Sequence, residues 1–185
     1  MLDPAIGHLI VQGGALLFAS AGVHKLHDLA AFTEVFVGYC VLPQAAARRM
    51  AWLIPCAELA IATGLAAERN HRAAPFAAAG LLLAYGAGIA LNLARGRRDL
   101  DCGCGSYRKR RPIAAWMVWR NMLLATALGL AALPWSQRTV GLADLLTVVG
   151  GLAAIAMLYM AVDRLLGEIM PKALAMRGIA MRGTP

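Results

Sequence analysis

The chain has 185 residues, 60% of them hydrophobic and only 15% charged, with a formal net charge of +8. A soluble domain carries roughly 45–50% apolar and 25% charged residues, so this composition excludes an ordinary soluble enzyme, a disordered chain and a nucleic-acid module. With a mean hydropathy of +0.62, the chain reads as a small membrane protein whose basic loops meet anionic lipid headgroups.

Spanning a bilayer takes roughly 20 predominantly apolar residues. Five such windows occur, at residues 4–23, 51–67, 73–94, 112–133 and 140–162. They predict an all-α integral membrane protein, a single domain over residues 1–185. Its expected architecture is a compact bundle of four core transmembrane helices plus a fifth. Ala, Gly and Leu dominate the windows, and small residues let such helices pack closely. Ala19-Ser20-Ala21 resembles a signal-peptide cleavage site, but residues 1–7 hold Asp3 and no positive charge. A retained first helix is therefore expected.

Between the first two windows, Leu29, Phe32, Phe36 and Tyr39 recur at three- and four-residue spacing, interleaved with Asp28 and Glu34. That pattern predicts an amphipathic interfacial helix over about 26–41, ended by Leu42-Pro43. It reads either as an anchor for the bundle or as a lid over a site. Cys40 ends this segment with no partner cysteine near it; a shuttle thiol is the sharper reading of it. Cys56, inside the second window, reads as a small buried hydrophobe.

Chemistry concentrates between the third and fourth windows. The loop at residues 95–111 holds Cys102-Gly103-Cys104-Gly105 with three basic residues before the pair and four after it, and Pro112 is expected to open the next helix. A structural zinc site needs four ligands, usually in two close pairs, and no second pair has that spacing, so no metal is expected. Nearby cations favour the thiolate, which is the reactive form. A disulfide wants Cα atoms roughly 4.4–6.8 Å apart. One intervening glycine meets this only with strain, and strained disulfides are the more oxidising ones. The pair suits a disulfide donor better than a structural staple.

Inside the windows, Glu58 and Arg120 are each costly to leave alone in lipid, so they are expected to approach each other near the cysteine-loop end. Asn121, Asn92 and His8 are further polar candidates. Trp116 and Trp119 follow the loop by one and two turns, as an aromatic belt or as a wall for a flat lipophilic ring.

The series Gly22-x-x-Lys25, Leu42-Pro43, Pro55-x-x-Glu58, Arg95-Gly96, Cys102-Gly-Cys104-Gly and Trp116-x-x-x-Arg120-Asn121 resembles the methylamine-utilisation MauE family, within the wider DoxX-like redox membrane group. The resemblance spans Gly7 to about Leu133. MauE-like proteins commonly have Phe between the second cysteine and its glycine, whereas here Gly105 follows Cys104 directly. The resemblance implies a role in maturing methylamine dehydrogenase, whose small subunit carries many disulfides, with a thioredoxin-like MauD-type protein as companion. The layout is also similar to vitamin K epoxide reductase, where a bundle holds a quinone beside a cysteine pair; that likeness is architectural.

The expected activity is thus a membrane thiol oxidase in which Cys102 and Cys104 are catalytic and are reoxidised by a quinone, ubiquinone or menaquinone. Trp116, Trp119, Arg120, Glu58 and Asn121 are expected around that quinone. A non-catalytic quinone-binding or anchoring subunit is the alternative; a small-solute permease would need neither cysteine. With five crossings, fourteen basic residues share the side of the cysteine loop and three lie opposite, which the positive-inside rule places in the cytoplasm. Disulfide chemistry works against the reducing cytosolic pool, so a bacterial inner membrane with a periplasmic cysteine loop is expected.

Overall fold

Asp3 starts the first helix. Its carboxylate accepts a hydrogen bond from the Ala5 amide at 2.9 Å, and Pro4 occupies the first turn, where a missing N–H costs nothing. The computed structural model describes residues 2–67, 72–100, 112–136, 138, 139 and 141–165. Among these residues seven helices follow in order: α1 (Pro4–His27), α2 (Leu29–Gly38), α3 (Gln44–Met50), α4 (Leu53–Ala66), α5 (Ala73–Ala94), α6 (Ala115–Ala131) and α7 (Leu142–Arg164). Asp28 closes α1 and caps α2 by accepting from the Ala31 amide at 3.0 Å. Cys40 then turns the chain with φ +49°, a left-handed conformation uncommon outside glycine, and Gly96 does the same after α5 at φ +74°.

Among the described residues, four stretches are long and apolar enough to cross a membrane: Pro4–His27, Gln44–Ala66, Ala73–Ala94 and Leu142–Val162. They fit a multi-pass membrane protein. The expected fourth span is a 17-residue helix, α6, shorter than the others. It begins at Ala115 rather than Pro112, because residues 112–114 are not helical and the Ile113 amide donates to Leu100 O at 3.0 Å. The first helix runs past Val23 to His27. The second span begins at Gln44, since α3 leads through a turn into α4. The amphipathic segment is shorter than expected, ending at Gly38, before Leu42-Pro43.

α1 packs along α4, and α5 packs along α6. The buried face of α1 carries Pro4, Gly7, Val11, Gly14, Phe18, Gly22 and Lys25, a three- and four-residue repeat that keeps one stripe against its neighbours. Phe18, Leu65, Leu82, Ala125 and Leu128 fill the centre. A Cβ on Gly14 would lie 2.8 Å from Leu128 Cδ2, and one on Gly22 3.2 Å from the Pro55 carbonyl oxygen, so glycine sets how closely α1 approaches α6 and α4. α7 leans on α1, with Val148 buried and Leu145, Leu146, Val149, Leu158 and Met160 exposed. Outward apolar side chains of this kind suit lipid rather than water.

A buried ion pair crosses the α1–α4 seam. Lys25 Nζ donates to Glu58 Oε1, with the two side chains 6% and 1% exposed. The partner of Glu58 is therefore Lys25, not Arg120 as the windows suggested. The first apolar window stops at Val23, before Lys25, whereas α1 carries Lys25 in its last turn. Removing one partner strands the other charge, whereas replacing both with apolar groups is often neutral. Lys25→Met is expected to lower stability by about 3–5 kcal/mol, and adding Glu58→Leu to recover most of it, measured by thermal unfolding of detergent-solubilised protein.

At the opposite end of the bundle, Arg138 reaches Asp3 and Asp144, each at 2.8 Å. The Arg138 hydrogen bond, helped by the Ala5 amide, holds the Asp3 carboxyl below the usual 3.8. A lowered folded value adds stability above the ordinary pKa, lost as pH falls through the lowered one. Stability should therefore drop with acidification below about pH 4, and Arg138→Gln should remove that part of the pH dependence from the melting profile.

Candidate functional site

The cysteine-loop end of the bundle is tied together by polar contacts to main chain. Asn92, fully buried near the end of α5, donates through Nδ2 to Tyr39 O at 3.1 Å and Gly88 O at 3.0 Å. Its Oδ1 accepts from Arg97 Nη1 at 3.2 Å, and Arg95 Nη1 donates to Cys40 O at 3.3 Å. These bonds hold the end of α2 against α5. Beneath them Ile89, Ile113 and Met117 form a small apolar cluster packed by Tyr39, Leu100, Trp116 and Val118. Leu100 and Ile113 flank the cysteine loop and are hydrogen-bonded to each other. Cys102 and Cys104 lie outside the described residues, so the structure describes the neck of their loop.

A cavity of about 470 Å3 lies between α2, the start of α4 and α5, within the range of small-molecule sites. Phe32, Phe36, Tyr39 and Tyr85 supply aromatic walls, and Ile54, Leu81 and Ile89 aliphatic ones. Val41, Ala84, Ala87 and Leu91 at its edge are exposed, so the cavity opens on the side of the bundle.

Among the described residues its one charged wall is Lys25, whose ammonium lies 5.5 Å from the Phe32 ring centroid and 5.3 Å from that of Tyr85, distances at which ring faces attract a cation. Tyr85 OH donates to Glu58 Oε1 at 2.7 Å. Oε1 thus accepts from both Lys25 and Tyr85, while Glu58 Oε2 is buried without a hydrogen-bond partner among the described residues. An orphaned carboxylate oxygen in an apolar interior is costly, and such exceptions concentrate where a group has chemical work to do.

The other expected site residues are dispersed. The Arg120 guanidinium stacks between rings, 5.2 Å from Trp116 and 5.8 Å from Tyr159 of α7. Trp119 is 69% exposed on the outer face of α6. Asn121 is buried, donates to Met117 O at 2.8 Å and packs where α6 passes Gly86 of α5. Cys56, expected in the core, is exposed on α4, and Cys40 is exposed at the end of α2. Sequence reasoning missed Lys25 and Tyr85. The unbroken three- and four-residue stripe of α1 was the signal for Lys25; for Tyr85, a lone tyrosine in an apolar window, there was none.

The chain was compared with known proteins. The family model for methylamine utilisation protein MauE matches residues 4–134. A MauE protein of Paracoccus versutus is 40% identical over 166 residues, covering 89% of each chain. One of Paracoccus denitrificans is 41% identical over 117 residues, 63% of this chain and 62% of that protein. One of Methylophilus methylotrophus is 31% identical over 171 residues, 89% of this chain and 88% of its own. No solved structure matches. With a family match across most of the described bundle and two relatives aligned over 89% and 88% of their own length, the chain belongs to the MauE family of methylamine utilisation proteins.

Proposed function

We propose that this protein is a membrane thiol-disulfide oxidoreductase that supplies disulfides during maturation of methylamine dehydrogenase, with Cys102 and Cys104 as its redox pair and a quinone as its electron acceptor. The observation that carries this reading is the position of Tyr39. It lines the aromatic cavity and also packs, as Leu100 does, against the cluster of Ile89, Ile113 and Met117 at the neck of the cysteine loop. A reactive loop and a lipophilic chamber then share one end of one fold.

The reaction has two halves. In one, the disulfide accepts attack by a thiolate of a thioredoxin-like, MauD-type partner. The mixed disulfide resolves, leaving the partner oxidised and both cysteines as thiols. In the other, the two thiols lose two electrons and two protons as the S–S bond forms, and the quinone gains both to become a quinol. The cationic loop favours the thiolate and so stabilises the reduced pair, which raises its oxidising power. In this reading the fold is a bundle of four core helices with α7 as the fifth, α2 lies at the interface of the inner membrane, and the loop faces the periplasm.

Replacing either Cys102 or Cys104 with Ser is expected to abolish dithiol-dependent reduction of a short-chain ubiquinone by the purified protein while leaving helicity intact. Cys56→Ser, on the outer face of α4, should retain most activity. Wild-type turnover in the double variant overturns the catalytic reading and leaves a non-catalytic anchoring subunit. In a chain lacking Cys40 and Cys56, a membrane-impermeant thiol reagent should label Cys104 in intact spheroplasts; labelling only after lysis reverses the orientation.

A further inference from the structure

We propose that the cavity between α2, α4 and α5 is the ring-binding site for a lipophilic quinone, held by a hydrogen bond from Lys25 Nζ to a ring carbonyl. This rests on the proposed function for the identity of the oxidant, but the binding site stands on its own geometry. Three observations carry it. The walls are aromatic and aliphatic, matching a flat apolar ring, and Phe32, Phe36 and Tyr39 come from one helix face above it. The opening lies at the side of the bundle, beside Val41, Ala84, Ala87 and Leu91, where a molecule with a long hydrocarbon tail arrives from lipid. The polar end is a single buried cluster, in which, among the described residues, Lys25 spends one hydrogen bond on Glu58 and otherwise faces rings.

That cluster matches what a quinone requires. An ammonium has three N–H donors and no acceptor, so Lys25 can hold Glu58 and still donate to a carbonyl oxygen. A neutral ligand with acceptor oxygens adds no further charge to a site that already contains one cation and one anion. As electrons enter the ring, negative charge grows on the oxygen facing Lys25, and the ammonium stabilises it and passes it a proton. In net terms the dithiol loses two electrons and two protons, the ring gains them, and Lys25 ends protonated as it began. Glu58 acts as a positioning residue, since it reaches the ring only through the ammonium, and Tyr85, a wall of the cavity, also holds Glu58 through its hydroxyl. A site on the α6 face is not favoured, because Trp119 points outward and Arg120 is stacked between Trp116 and Tyr159.

The test uses the full chain carrying Cys102→Ser and Cys104→Ser, so that binding is read without thiol chemistry. An azido-ubiquinone with a short tail is photo-crosslinked and the labelled peptides are mapped, and the dissociation constant of decylubiquinone is measured in detergent. Label is expected on α2 and on the second half of α5. Ala87→Trp, which fills the cavity from its edge, should weaken binding at least tenfold with unchanged helicity; Val35→Trp does the same from α2 if the first variant does not fold. Label on the Trp116–Trp119 face, an unchanged constant in both cavity-filling variants, or a cavity occupied by phospholipid chains that the quinone does not displace would overturn the proposal. Tyr85→Phe should shift the pH profile of quinone reduction in the wild-type cysteine background, whereas a purely structural tyrosine would change stability and leave that profile in place. Binding that persists in a protein whose turnover does not need the cysteines would remove the thiol oxidase reading and leave this site standing.

Discussion

A charge in hydrocarbon must find a partner or water, and the Lys25–Glu58 pair is where this chain meets that constraint. The cost of an isolated ion inside a bilayer is several kcal/mol or more. Joining the end of α1 to the start of α4 therefore does more than cross-link two helices. It fixes the rotation of both, because turning either moves its charge toward lipid. The glycine at residue 22, one turn before the lysine, lets the two backbones come close enough for the pair to form. Tyr85 then brings α5 into the same polar cluster. Three helices are set in register by one buried contact, and the cavity is the space left where α2 folds back over them.

Buried ion pairs are weak sources of stability, since a well-packed apolar replacement often does as well. Retaining one beside a cavity is easier to understand as a chemical requirement than as glue. The surrounding packing is consistent with this. The far half of the bundle is closed with Ala, Leu and Phe side chains. The end near the cysteine loop has few large buried aliphatic residues and is held instead by Asn92, Arg95 and Arg97 bonding to backbone and to one another. Two different kinds of cohesion thus divide the molecule along its length, a dry core and a hydrogen-bonded rim.

Much of this was legible in the sequence, for identifiable reasons. The apolar windows at residues 4–23 and 73–94, which hold no charge, and 140–162, with Asp144 near its start, correspond to α1, α5 and α7 because length and hydropathy alone decide a spanning helix. The same rule failed at its edges. It ended α1 before Lys25, since a window reads charge as a boundary, and it began α6 at a proline that sits in extended chain. The aromatic face of residues 29–39 was legible as amphipathic, but periodicity does not say what an apolar face covers; here Phe32, Phe36 and Tyr39 cover a cavity. The choice of Arg120 as partner for Glu58 came from counting turns along each helix, and helix rotation, which decides such pairings, is set by packing that a single sequence does not display.

The outward position of Cys56 on α4 has a consequence for the chemistry of the whole molecule. Thiol exchange needs a second thiol to reach the sulfur, and a sulfur facing hydrocarbon lies away from the aqueous thiols. That cysteine is consequently passivated by its solvent, without any protecting fold around it. Cys40, at the polar end of α2 beside the Arg95 guanidinium, has no such shelter. The bilayer itself therefore sorts these two sulfurs into an inert phase and an aqueous one.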